Sequence, residues 1–155
     1  MRTKFNVSAD KGKREFNGEV FDSELELRYY KDRVLPRLES GEITRCERQV
    51  KFVLQPAFQR GGKTVLPIEY KADFVLAFSD GSELVVDIKG FADPQALLKR
   101  KMFWYVYPDI EYLWIGWSKP DGGWAAYEEI IKGRKARKKL KTKTSKEKQN
   151  KMKKD

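Results

Sequence analysis

Three residues carry the chemical interest of this chain. Asp73 stands in Tyr70-Lys71-Ala72-Asp73-Phe74, and Asp87 and Lys89 stand in Val86-Asp87-Ile88-Lys89-Gly90. Residues i and i+2 of a strand point to the same side, so Asp87 and Lys89 share a face. Asp73 falls in the preceding apolar run, which the turn Ser79-Asp80-Gly81-Ser82 would hold alongside in antiparallel pairing. Two carboxylates and an amine would then converge at one end of a small sheet. That set suits phosphodiester hydrolysis. Two carboxylates can hold magnesium, which lowers the pKa of a bound water and clamps phosphoryl oxygens. A neighbouring lysine can orient that water or neutralise developing negative charge. The plainer alternative is a same-face ion pair on an exposed strand, which contributes little. Yet Leu84, Val85, Val86 and Ile88 make that run apolar on both parities, as in a strand buried on both faces. Charges in such a strand need a reason, because burying them unpaired is costly.

The composition narrows the chemistry further. The chain has 155 residues, one cysteine and no histidine. A Ser-His-Asp triad, a Cys-His pair and a His-ligated zinc site are therefore excluded, as is an intrachain disulfide. Acid–base and metal chemistry must run on carboxylates and lysines, which points to a hard, oxygen-liganded cation such as magnesium. The length suits one domain. No apolar run reaches the length of a membrane span, and Met1-Arg2-Thr3-Lys4 leads into a polar stretch, so a soluble cytoplasmic protein is expected. Charge is unevenly placed. Residues 132–155 carry 13 Lys and Arg against 2 Asp and Glu, a net of +11 in a chain whose total is +10, which leaves residues 1–131 at −1. The basic character belongs to the tail, which reads either as an arm for polyanions or as a solubilising segment.

The elements that must position these groups follow from periodicity. Residues 1–15 are polar and are expected to be a flexible segment. A helix is expected from Asp22-Ser23 to about Glu39, with Leu27, Tyr30, Val34 and Leu38 as its apolar stripe, Pro36 as a possible kink and Ser40-Gly41 as its stop. Glu47 to Phe58, Ile68 to Phe78 and Glu83 to Lys89 read as strands, with Arg60-Gly61-Gly62-Lys63 as a hairpin-like connection. Asp93-Pro94 starts a helix that runs to about Tyr107. Tyr112 to Trp117 reads as a further strand, and Trp124 to Ile131 as either a strand or a short helix. The order predicts one α/β domain over residues 16–131, with a central mixed sheet of four to five strands flanked by helices, and a disordered or helical basic tail over 132–155.

At this level the residues resemble a known pattern. Asp73 followed by Asp87-Ile88-Lys89 is similar to the signature of the PD-(D/E)xK nuclease superfamily, with Ala72 where proline usually stands. Phe21-Asp22-Ser23-Glu24-Leu25-Glu26 resembles that superfamily's N-terminal Ser-x-x-Glu element, and Glu47-Arg48-Gln49 the start of its first core strand. Lys99-Arg100-Lys101 lies on the helix after the motif, where related nucleases carry basic residues. Over residues 16–117 the chain resembles phage and prophage proteins of unknown function that are similar to the phage endonuclease I type of Holliday-junction resolvase.

The resemblance implies a restriction-endonuclease-like core and a magnesium cofactor with manganese as a substitute. It implies DNA as the partner, with four-way junctions as a candidate substrate, a homodimer, and the cytoplasm of a phage's bacterial host. It assigns catalytic roles to Glu26, Asp73, Asp87 and Lys89, with Glu26, Asp73 and Asp87 at the metal. Glu26 has a second reading as the third residue of a capping box begun by Ser23, and Glu24 flanks the same stripe. Gln49 either reaches the site or pairs within the sheet. Lys99, Lys101, Arg134, Lys135, Arg137, Lys138 and Lys139 are candidate phosphate contacts. Two alternatives stay open: a non-catalytic basic DNA-binding protein, and a general DNA-processing nuclease without junction selectivity.

Overall fold

The computed structural model describes residues 10–152, with side chains as far as Thr144. Residues 1–9 of the expected flexible segment and the end of the basic tail lie outside the described residues. The chain divides into two compact units, Met1–Leu113 and Trp114–Asp155. The main sheet has five strands. The architecture is mixed α/β, compatible with a restriction-endonuclease-like core.

In the first unit, residues 11–16 of the polar segment form a 3-10 turn, Lys11–Arg14, and a short strand, β1 (Glu15–Phe16). β1 pairs antiparallel with β2 (Glu19–Val20) across Asn17-Gly18, both at positive φ. Arg14 Nη1 donates to the carbonyls of Phe21 and Asp22 at 2.6 and 3.0 Å, tying this hairpin to the start of the first helix.

That helix is built in three pieces: α1 (Glu24–Tyr29), a π-helical turn (Tyr30–Val34) and α2 (Leu35–Glu39). The cause lies in Pro36, which lacks an N–H and crowds the carbonyl four residues back. The backbone widens just before it, so that Leu35 N–H reaches the Tyr30 carbonyl, five residues back. The expected kink is thus a π turn, and it places Tyr29 and Val34 in the core.

β3 (Ile43–Gln55) begins four residues before the strand expected from sequence and stops before Phe58. β4 (Phe58–Arg60) and β5 (Lys63–Val65) close the expected hairpin over Gly61-Gly62. Both glycines have positive φ, 57° and 73°, as a two-residue turn that follows the strand twist requires. β6 (Ile68–Phe78) pairs antiparallel with β3 and with β7 (Glu83–Ile88). α3 (Pro94–Val106) is capped by Asp93, whose carboxylate accepts from Ala96 N–H at 2.7 Å. It leads to β8 (Glu111–Ser118).

One face of β6 is the core. Tyr70, Ala72, Phe74 and Leu76 are buried, while Lys71, Asp73, Val75 and Ala77 on the other parity are more open. Tyr29 packs on Phe74 at 5.6 Å between ring centroids, and Phe103 of α3 packs on Phe52, Tyr70 and Tyr112 at 5.0, 5.6 and 4.5 Å. The core therefore grips β6 from its apolar parity, which fixes the direction in which Asp73 emerges. As the continuous apolar run implied, β7 is buried on both parities from Val85 to Ile88.

The second unit holds the rest of β8, a 3-10 turn Lys119–Asp121, β9 (Gly123–Ala126) and α4 (Tyr127–Met152). The segment from Trp124 to Ile131 is both strand and helix: β8 and β9 pair antiparallel, and α4 starts one residue after β9 ends. Trp114 meets Tyr127 edge-on at 5.9 Å, and Ile130 is buried. The basic tail thus continues a helix that begins before it. Among the described residues no helix is long and apolar enough to cross a membrane.

Candidate active site

The site is laid out by strand register. β3 pairs Arg48 with Phe74 and Val50 with Ala72, and β6 pairs Phe74 with Val86. Continued by one position, these registers bring Gln49 across from Asp73 and Asp73 across from Asp87, just where the paired ladder itself gives out. Like charges directly opposite on neighbouring strands destabilise a sheet, so a fold does not place them there for its own sake. Where the β6–β7 ladder ends, the Ile88 N–H donates to Asp73 Oδ2 at 2.7 Å. Asp87 is buried, its side chain 4 % exposed, and its Oδ2 forms an ion pair with Lys89 Nζ. The i, i+2 placement expected for Asp87 and Lys89 is what brings them together.

Glu26 joins this group from α1. It is 7 % exposed, whereas Glu24 is open to solvent. Both readings of Glu26 hold in part. Ser23 caps the helix by accepting from Glu26 N–H at 3.1 Å, and Ser23 Oγ donates to Glu26 Oε1 at 2.9 Å. Gln49 Nε2 reaches Glu26 Oε2 at 3.4 Å. Both oxygens of Glu26 are thus already engaged. Gln49 stands in the middle of a strand with φ of 57°, in the left-handed region that a residue with a Cβ seldom adopts.

The electrostatics follow from burial and crowding. Burial, and then the charges of Asp87 and Glu26, push the Asp73 carboxyl up to about 9; the Ile88 N–H and Lys89 oppose the rise. Burial likewise raises Glu26, with Asp22 and Asp87 adding to it and the Ser23 hydroxyl working against it. Were all three acids ionised, their negative charge would exceed what Lys89 offsets, which is why Asp73 and Glu26 hold their protons more tightly.

Could this set hold a metal? Among the described residues no group of three or more His, Cys, Asp and Glu stands ready to hold one. Magnesium asks for less, since it is commonly bound through one or two carboxylates and keeps several waters. Asp73 and Asp87 are such a pair. The donors are oxygens throughout, and the surplus negative charge of the ionised acids suits a hard divalent cation.

The basic candidates are placed as follows. Lys99 donates to the Glu69 carbonyl at 2.7 Å, so its amine is tied to the end of β6. Lys101 is exposed on α3. Arg134, Lys135, Lys138 and Lys139 are exposed on α4. Arg137 instead makes a two-pronged pair with Asp121, both contacts at 2.7 Å, and Ser118 Oγ donates to the same carboxylate. Gly133 makes room for that pair, because a Cβ there would stand 2.5 Å from Asp121 Oδ1. Nothing local in the sequence couples residues 121 and 137. The Ser23 hydroxyl has a second role that its cap position did not reveal, as a donor to Glu26.

No curated protein matches the chain. A family model described as "Protein of unknown function (DUF1064)" matches residues 3–120, which span the whole of this constellation from Ser23 to Lys89. The chain belongs to that family.

Proposed function

We propose that the chain is a divalent-metal-dependent endonuclease of PD-(D/E)xK type that hydrolyses DNA phosphodiester bonds. Branched DNA such as a four-way junction is its proposed substrate, magnesium its cofactor and manganese a substitute. The observation that carries this reading is the pair of acids brought together where β6 and β7 meet, Asp73 tied to the Ile88 N–H beside Asp87, with Lys89 against the second acid. The sequence resemblance to the endonuclease I type of resolvase points the same way.

Each group has a task under this reading. Asp73 and Asp87 hold the cation. Asp73 gives up the proton that its surroundings now favour, so metal binding is coupled to proton release. The bound cation supplies an acidified water and charge neutralisation at the phosphoryl oxygens. Lys89 places an ammonium beside that phosphate, where it stabilises the charge that develops during attack. Glu26 acts from the helix on the same cluster, through its hold on Gln49 and Ser23. A homodimer would present two such sites, one for each strand of a symmetric junction.

The test is incubation of the purified protein with a synthetic four-way junction and with a linear duplex of the same arms, with and without magnesium. Paired nicks near the branch point, dependent on metal and absent from Asp87→Ala, are the expected result. Equal cutting of the duplex would leave the chemistry standing and remove the junction preference. The exposed basic residues of α4 favour a second reading, a nucleic-acid-binding protein without chemistry. It predicts salt-sensitive binding to both substrates and no cutting under any metal.

A further inference from the structure

We infer that Gln49 is a direct part of the cation site, its Oε1 serving as the third protein oxygen beside Asp73 and Asp87. The inference rests on the metal-dependent reading above and says what completes it. Three observations converge. Gln49 lies between Arg48 and Val50, which pair with Phe74 and Ala72, so the register extended by one position brings it to Asp73, and the β6–β7 register extended likewise leads on to Asp87. The Oε1 of Gln49 is buried and has no hydrogen-bond partner. The backbone at Gln49 is in the left-handed region, with φ of 57°.

The orientation of the amide is settled by its neighbour. The amide nitrogen donates to Glu26 Oε2 at 3.4 Å, as it does to an ionised carboxylate, which turns the amide oxygen away from Glu26. That leaves a buried acceptor without a donor, a state that native structures avoid unless a water or an ion fills it. A water could satisfy one lone pair. It would not account for the backbone. Asn17, the other described non-glycine residue with positive φ, sits in an Asn-Gly turn that suits it. Gln49 sits mid-strand, where no turn needs that conformation. Strain of this kind persists where the surrounding structure holds a side chain in place for a task. The acid side chains alone do not form a ready group of three among the described residues. An amide oxygen adds a neutral hard donor without adding to the repulsion between Asp73 and Asp87.

The test uses the full chain without DNA. Manganese is titrated into the wild type, Gln49→Gly, Gln49→Asn and Asp73→Asn, with free manganese read by electron paramagnetic resonance and thermal midpoints recorded without metal. Glycine is at ease in the left-handed region, so Gln49→Gly should raise the metal-free midpoint while weakening manganese binding by about tenfold or more. Gln49→Asn tolerates the same backbone but draws the oxygen back by one methylene, and it should also bind more weakly. A folded Gln49→Gly and Gln49→Asn that both bind manganese as the wild type does would overturn the inference, while loss in Asp73→Asn would keep the metal site itself standing. Wild type that binds no manganese would overturn both.

Discussion

Asp73 and Asp121 are the same residue type in opposite circumstances. Asp121, in the second unit, meets a guanidinium with both oxygens and a serine hydroxyl besides, and these hold its carboxyl down at about 2. Asp73, in the first unit, is half-buried beside Asp87 and Glu26, with one backbone N–H for relief, and its carboxyl is pushed up to about 9. One acid is matched by its surroundings and the other is crowded by them. A matched pair is explained by the fold that it joins, since charge-assisted two-pronged contacts are favourable wherever geometry allows. A crowded acid costs stability, and its persistence calls for a role in which something else supplies the missing positive charge. The contrast sets a carboxylate that the fold explains apart from one that the proposed function would explain, without reference to any motif.

The largest effect expected from this contrast is on catalysis. Asp87→Asn and Lys89→Ala should each lower the cleavage rate by about a hundredfold to a thousandfold, with circular dichroism unchanged. Undiminished cutting by either variant would move the active site elsewhere. Next in size is DNA affinity. Deleting residues 138–155 keeps Tyr127, Ile130 and the Arg137–Asp121 pair, yet removes the run of lysines beyond them. Binding should weaken, and the dependence of log K on log salt should flatten by about 0.9 for each phosphate that the shortened helix no longer neutralises. An unchanged slope would show that the tail neutralises no phosphates.

Stability against pH sharpens the comparison itself. Asp73 has a folded value near 9 against an ordinary 3.8, so the native state holds a proton that the unfolded chain releases. Metal-free stability should therefore fall as pH rises from about 4 to about 9. Asp73→Asn should reduce that fall and raise the melting temperature at pH 8, while abolishing cleavage. Added magnesium should stabilise the wild type and not the variant. Asp121 runs the other way. Its folded value lies below the ordinary one, so its contribution is present above about pH 4 and is lost as pH falls through about 2. Asp121→Asn should show a smaller effect than the variants above, because the pair is only part-buried and water screens part of its attraction. Its difference from the parent in thermal melts should close towards pH 2. Gly133→Ala, which drives a methyl into the same pair, should destabilise at least as much as removing the carboxylate. A neutral Gly133→Ala would show that the pair moves aside at no cost.

Much of this site was legible because strand geometry is local. Asp87 and Lys89 share a face by parity alone, and the unbroken apolar run around them marked β7 as buried on both sides. The turn after Phe78 and the Gly61-Gly62 hairpin are written in residues whose φ preferences leave little choice. Asp93 before Pro94 announced α3 for the same reason. The π turn at Tyr30–Val34 was harder to read. Pro36 signals a disturbance, but whether a helix kinks, stops or widens depends on what packs against it. Glu24 and Glu26 flank the same stripe, and only the packing of α1 buried the second. Arg137 looked like one more residue of a basic arm until the fold placed Asp121 beside it.

By itself, the sequence determined which chemistry is open to this chain. Having no histidine and one cysteine, it is left with carboxylates and lysine for any acid–base or metal-binding role, and two-residue periodicity paired Asp87 with Lys89. The tertiary structure alone decided that Asp73 comes beside Asp87, that Glu26 rather than Glu24 is buried with them, and that Gln49 takes a left-handed backbone and reaches Glu26. The reason is physical. Parity and turn preference act between near neighbours, whereas the register between strands and the burial of one helix face are set by hydrogen bonds and packing among residues far apart in the chain.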